Sequence, residues 1–183
     1  LLNVSARENY MDISTKATDF LQALNDQVKR KHIDQDSLKT LLPMLKLKIV
    51  SGRDNPIINY LSTSGYSLKD LFFDLESDPN VGLNGGGHIY ALNTGGILID
   101  TIQTHIYQDS TGVKLDSRIK NGPKNKQIVF EALLNANIYA TGAGVNLVYY
   151  DEKRKKGVDL GAIAHIEDSG ARVSLYPAEP ILA

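Results

Sequence analysis

The sequence predicts an α+β domain in which a helical N-terminal half precedes an antiparallel β half. Two observations support this division. Apolar residues recur at helical spacing from about Ser14, whereas beyond His88 apolar and polar residues alternate. Asn93-Thr94-Gly95-Gly96, which lies between two alternating runs, is a hairpin signal. The 183 residues suffice for one such domain with a sizeable core, so residues 1–183 are interpreted as a single domain.

The N-terminal half begins with a short segment, Leu1–Arg7, that is expected to form a strand. A helix follows from about Ser14, where the apolar residues fall along one helical face. A second helix is expected from Asp36, with leucines continuing to Leu45 and with Pro43 breaking or kinking it. These two segments supply the N-terminal helices of the predicted fold.

The central segment is expected to hold an extended piece and a third helix. Ile57–Leu61 is short and apolar and runs into Ser62-Thr63-Ser64, which places these hydroxyls at a strand end. Ser67 and Asp70 have the spacing of a capping box, which predicts a helix that packs Leu71, Phe72 and Leu75 inward.

The C-terminal half is expected to be a series of antiparallel strands separated by turns and charged links. The segment Gln108–Gln127 is long, polar and basic and is interpreted as a loop. The predicted strands are His88–Leu92, Ile97–Tyr107, Ile128–Leu134, Asn137–Ala140, Val145–Tyr150, Val158–Ile166 and Arg172–Tyr176.

Composition excludes several kinds of site. The chain contains no cysteine, which rules out a thiol nucleophile, a disulfide framework and a zinc-thiolate centre in these residues. A formal net charge of -1 gives no reason to expect a nucleic-acid partner. No apolar run approaches the roughly 20 residues of a membrane-spanning helix, so no membrane insertion is expected.

Three pieces of the sequence suggest chemistry because of their order. Arg7 lies in the expected first strand, 55 positions before Ser62. Tyr60-Leu61-Ser62-Thr63-Ser64 places an aromatic residue two positions before Ser-Thr-Ser. Glu131 follows in a later strand, within Val129-Phe130-Glu131-Ala132-Leu133.

These pieces resemble the toxin branch of the mono-ADP-ribosyltransferases, the family of the cholera and pertussis toxin catalytic subunits. The resemblance implies a split β-sandwich of two antiparallel sheets flanked by the N-terminal helices, with NAD bound between them as substrate. It also implies a protein secreted or translocated into a host cell. Such a protein would transfer ADP-ribose to a host target protein, with a delivery subunit as a further possible partner and NAD glycohydrolysis as a side activity.

The resemblance also implies a role for each residue. Glu131 would stabilise the positive charge that develops at the ribose when nicotinamide leaves. Arg7 would bind the pyrophosphate with its planar guanidinium. Ser62 would hold Glu131 in position. The remaining NAD-binding positions are Tyr60, Thr63 and Ser64, and no metal is implied.

Two alternatives belong to other functional classes. Val129 stands where arginine-modifying members carry a second Glu, which favours a non-catalytic binding module or pseudoenzyme on the same fold. The other alternative is a ribonuclease that uses His88, His105 and a lysine. Depending on the hairpin register, His88 shares a face either with His105 or with Asp100, and the sequence does not choose between them.

Overall fold

The computed structural model describes residues 2–6, 9–13, 44–51, 56–139, 141–167 and 170–177. Within them the chain forms one helix, α1 (Pro56–Thr63), and eleven strands. The strands are β1 (Leu2–Ala6), β2 (Asn9–Ile13), β3 (Leu45–Ser51), β4 (Asp70–Asp78), β5 (Gly82–Asn93), β6 (Leu98–Asp109), β7 (Gly112–Asn121), β8 (Phe130–Tyr139), β9 (Gly142–Asp151), β10 (Lys156–Glu167) and β11 (Gly170–Pro177).

All eleven strands belong to one antiparallel sheet whose spatial order is the order of the chain, from β1 to β11. Each strand pairs only with its neighbours in sequence, so the described strands form a continuous meander. The predicted α+β split sandwich is therefore wrong, because the meander contains no crossover that would create a second sheet. The helices predicted from Ser14 and Asp36 lie outside the described residues, except that Leu45 begins β3.

Short polar side chains shape the hairpin turns that produce this order. The side-chain oxygens of Asp78, Asn93, Asp109 and Asp151 each accept a hydrogen bond from the backbone N–H two residues on, at 2.7 to 2.9 Å. This local bond mimics a backbone turn and is the reason that Asp and Asn favour turns. Local side-chain hydrogen bonds thus favour a reversal of chain direction at each of these turns.

The turn between β6 and β7 adds an ion pair to this pattern. Asp109 Oδ2 accepts a hydrogen bond from Lys114 Nζ at 2.5 Å, and its Oδ1 accepts bonds from the Thr111 hydroxyl and backbone N–H. The Lys114 ammonium, followed by the two Thr111 donors, holds the pKa of the Asp109 carboxyl well below its usual range. The same hydrogen bond raises the pKa of Lys114.

This arrangement predicts a pH dependence of stability. Because the pKa of Asp109 is lower in the folded chain than its unfolded value of about 3.9, the ionised carboxylate stabilises the fold above that pH. The contribution is lost as pH falls below about 4 towards the folded pKa. We expect Asp109→Asn to lower the free energy of unfolding at pH 6 and to weaken its decline between pH 5 and pH 2.

Urea denaturation across this pH range measures the effect. Glu152→Gln, which removes an exposed carboxylate at another turn, is the matched control. An Asp109→Asn protein with the same pH slope as the wild type would contradict the assignment.

The segment predicted as a third helix is strand β4 instead. The two-residue period of a strand places Leu71, Phe73 and Leu75 on one face of the sheet and Phe72 and Asp74 on the other. The expected capping box does not form, because Asp70 Oδ2 bonds to His88 Nε2 at 2.9 Å and the Ser67 backbone pairs with Asn93. Pairing with β3 and β5 therefore overrides the local helix signal.

The extended piece predicted for Ile57–Leu61 is helix α1, which Pro56 opens. Proline suits the first helical position because its missing N–H has no helical partner there. The loop predicted for Gln108–Gln127 is also wrong, since most of it is β7 (Gly112–Asn121). The hairpin predicted at Asn93–Gly96 is confirmed by the pairing of β5 with β6.

Candidate functional site

The Ser-Thr-Ser residues lie on the helix rather than at a strand end. Ser62 and Thr63 complete α1, and their hydroxyls donate to the backbone carbonyls of Asn59 and Tyr60, each at 2.7 Å. Ser64 follows in the turn, and all three side chains are exposed. The Ser62 and Thr63 hydroxyls thus bond to backbone carbonyls of their own helix, as Ser and Thr often do.

Glu131 lies on β8 and is held by two arginines. Its Oε1 accepts hydrogen bonds from Arg118 on β7, and its Oε2 lies 3.4 Å from Nη2 of Arg154 in the β9–β10 turn. The Glu131 side chain is 14% exposed. Its carboxylate therefore has two cationic partners within the chain.

The structure shows no bond between the predicted NAD-binding residues Ser62, Thr63 and Ser64 and the predicted catalytic Glu131, all of which it describes. Arg7 lies outside the described residues. The segment after α1 joins the sheet beside β5, through the bridge between Ser67 and Asn93, and β5 is three strands from β8. Three strand spacings amount to about 14 Å. Within the described residues, no hydrogen bond or ion pair joins α1 to Glu131.

The ion pairs of Glu131 lead to a stability prediction. Glu131→Gln keeps the shape of the side chain but removes the charge that Arg118 and Arg154 share. We expect a loss of about 1 kcal/mol in the free energy of unfolding, a modest value because both arginines are well exposed. Urea denaturation at low and at 1 M salt measures it. A loss that is equally large at both salt concentrations would contradict an ionic origin.

The hairpin register settles which residues share a face with His88. His88 pairs with Gln103, and His105 pairs with Gly86, so both histidines lie on one face and Asp100 lies on the other. His88 bonds to Asp70 and stacks on Tyr90, with ring centroids 4.3 Å apart. On the neighbouring strand β7, Lys114 lies two residues from Asp116, the partner of His105, and its Nζ is bound to Asp109. The ribonuclease alternative stays a prediction.

The most extensive feature of the sheet is an apolar face that crosses β3 to β11. Directly paired residues on neighbouring strands project to the same side of the sheet, so apolar residues that pair across successive strands lie side by side on one face. This apolar face consists of Leu45, Leu47, Ile49, Leu71, Phe73, Leu75, Leu83, Ile89, Ile102, Ile106, Val113, Leu115, Ile119, Phe130, Ala132, Leu134, Ala136, Ile138, Ala143, Val145, Leu147, Tyr149, Val158, Leu160, Ala162, Ala164, Val173 and Leu175.

Within the described residues, no second layer of structure packs on the apolar face. The substantial contacts between elements all join neighbouring strands. Leu45 and Leu83, which are 7% and 8% exposed, are the only buried apolar side chains of the described part of the chain. Exposure rises towards the last strands and reaches 57% at Leu160, 64% at Val173 and 81% at Leu175. The β8–β11 end of this face is therefore accessible.

Polar residues on the apolar face mostly find partners close by. The Thr104 and Ser117 hydroxyls bond to each other at 3.0 Å, and Gln108 Oε1 accepts the Leu83 N–H at 3.1 Å. Asn121 is buried and bridges the backbone of the neighbouring strand β6. This pairing lowers the cost of surrounding polar groups with hydrocarbon.

The opposite side of the sheet, the polar face, carries the predicted site residue Glu131 and both histidines. Its positions are mainly charged or amide side chains. The polar face includes Lys48, Asp74, Glu76, Asn84, His88, Gln103, His105, Asp116, Arg118, Lys120, Glu131, Asn135, Asn137 and Asn146.

No family model, curated protein or solved structure matches this chain. In the part of the chain that the structure describes, no helix has the length and apolar character needed to cross a membrane. No group of three or more histidine and acidic side chains in the same residues is arranged to hold a metal ion.

Proposed function

We propose that this chain is a binding module whose apolar face accommodates extended aliphatic molecules such as the acyl chains of fatty acids and lipids. The observation on which this rests is the apolar face of β3 to β11, which is exposed at Leu160, Val173 and Leu175. Contiguous apolar patches of this extent are rare on soluble proteins unless they bind something.

The energy available on this face is sufficient for binding. Full burial of one leucine or valine side chain is worth about 1.5–3 kcal/mol relative to exposure. A micromolar dissociation constant corresponds to about 8 kcal/mol. Burial of the exposed side chains of β9 to β11 by a hydrocarbon chain supplies this amount, including part of the cost of ordering the ligand.

The chemistry of the face favours hydrocarbon over a folded protein partner. Protein interfaces are enriched in aromatic residues, Met and Arg that act as anchors in pockets. The exposed end of the apolar face instead presents Val145, Leu147, Leu160, Val173 and Leu175, which are aliphatic. A flexible acyl chain adapts to such a surface and needs no specific pocket.

The same geometry gives little support to catalysis on NAD. Glu131 is ion-paired on the polar face, and the Ser62 hydroxyl bonds to its own helix. We therefore expect the purified chain to release no nicotinamide from NAD. Release that disappears in a Glu131→Ala protein would restore the transferase prediction.

Titration with cis-parinaric acid, a fatty acid that fluoresces strongly in apolar surroundings, tests the proposal. The chain contains no tryptophan, so the protein contributes little competing emission. We expect a saturable rise in fluorescence that added palmitate reverses. No rise, or a rise that palmitate leaves unchanged, would contradict acyl-chain binding and would favour a protein segment as the natural cover of this face.

A further inference from the structure

The polar face contains an open groove over β8, β9 and β10, on the side of the sheet opposite the apolar face. Its volume is ≈ 330 Å³, and Gly144 lies at its floor. Gly144 pairs with Asn137 on one side and with Ile163 on the other, so the missing side chain leaves a gap between taller neighbours. The groove thus forms because the strand register places a glycine between two residues with longer side chains.

Three amide side chains line the groove at adjacent positions. Asn135 pairs directly with Asn146, and Asn137 is two residues further along β8. The side-chain oxygens of Asn137 and Asn146 are buried and receive no hydrogen bond. A buried acceptor without a donor costs about 1–3 kcal/mol. Rotation of either side-chain amide to present its oxygen to a donor in the groove would recover this cost.

Two tyrosine rings add an apolar surface to these polar groups. Tyr176 lies over Gly161, where an added Cβ would be 2.6 Å from the ring, and Tyr139 contacts His165 edge-on. Both tyrosines line the groove. A tyrosine offers an apolar ring face together with a hydroxyl, which matches a pyranose ring with its C–H face and hydroxyl rim.

The charges in the groove are already compensated. Lys114 Nζ bonds to Asp109 at 2.5 Å, and Asp116 Oδ1 accepts a hydrogen bond from Asn135 Nδ2 at 2.7 Å. A phosphate or carboxylate ligand would require an excess of positive charge. The described residues that line the groove provide no such excess. The groove therefore suits a neutral ligand.

We propose that this groove binds a neutral saccharide, with a pyranose ring against Tyr139 and Tyr176 and its hydroxyls bonded to the three asparagines. The proposal is independent of acyl-chain binding, because the groove and the apolar face lie on opposite sides of the sheet. Loss of one activity would leave the other intact.

The test is a ¹⁵N-correlation NMR titration with maltose, cellobiose, lactose and N,N′-diacetylchitobiose at millimolar concentrations. We expect at least one disaccharide to shift the side-chain amide signals of Asn135, Asn137 and Asn146 in a saturable manner. Absence of such shifts with all four sugars would overturn the proposal. It would also be overturned if inorganic phosphate alone shifted these signals.

Gly144→Val supplies the decisive variant. A Cβ at Gly144 has 3.8 Å to its nearest neighbour, so the strand tolerates it while the methyl groups fill the groove. We expect the dissociation constant of the bound disaccharide to rise at least 10-fold in this variant. Gly96→Val, at an open turn position, is the control and leaves it unchanged. Equal affinity in the Gly144→Val protein and the wild type would overturn the assignment of the groove.

Discussion

Replacing Leu160 and Leu175 together by aspartate is expected to weaken binding of cis-parinaric acid at least 10-fold. The two residues are diagonal neighbours at the open end of the apolar face, where Leu175 pairs with Ala162. The substitutions remove two apolar contacts, each worth about 1.5–3 kcal/mol when fully buried. They also place carboxylates where the hydrocarbon would lie, and burying an unpaired charge is costly.

Ser174→Asp provides the matched control for this prediction. It introduces a single carboxylate on the same strand, one residue from Leu175, but on the polar face. We expect unchanged binding in the control. In all these proteins the free energy of unfolding should stay within about 0.5 kcal/mol of the wild type, because the replaced side chains are exposed. Unchanged binding in the double variant would contradict the assignment of the ligand to this face.

Gly87→Ala is expected to lower the free energy of unfolding by at least about 2 kcal/mol. A Cβ at this position would lie 2.2 Å from the carbonyl oxygen of Phe72 and 2.8 Å from the Cα of Phe73. Both contacts are with backbone, so relief requires β4 and β5 to move apart, and overpacking of this kind typically costs 1–3 kcal/mol.

Urea denaturation of Gly87→Ala beside Gly96→Ala measures this effect. Gly96 has no atom within 4 Å of an added Cβ, so its substitution tests the loss of a glycine without the clash. Equal stability of the two variants would show that β4 and β5 do not approach as closely as described.

Most strands of the C-terminal half are predictable from the sequence because they carry their own alternation and their own turn residues. The exceptions are β7, for which the sequence predicts a loop, and β8, for which it predicts two shorter strands. Asn93 and Asp151 end strands and shape the turns through local bonds. The β4 segment is not predictable in this way. Leu71, Phe72 and Leu75 also fit a helical face, and only pairing with β3 and β5 selects the extended form.

The candidate site is less predictable, because it depends on register and on contacts distant in sequence. A one-residue slip would exchange the two faces of a strand, and the alternation of β8 does not reveal that Glu131 meets Arg118 and Arg154. The order of Ser62 and Glu131 in the sequence likewise does not give the distance between them.

The signal for the apolar face was present in the sequence. Alternating apolar residues in successive runs, such as Val145–Tyr150 and Val158–Ile166, indicate that one side of each strand is apolar. The alternation does not show whether the strands form two packed sheets, as the split sandwich required, or the single sheet that the structure describes.

Intermolecular nuclear Overhauser effects between palmitate and the leucine and valine methyl groups show which face of the sheet holds the acyl chain. We expect contacts from the acyl chain to Val145, Leu160 and Leu175 on the apolar face. We expect none to Leu133 and Val148, which pair with each other on the polar face. Contacts confined to Leu133 and Val148, or none to either set, would contradict acyl-chain binding on the apolar face.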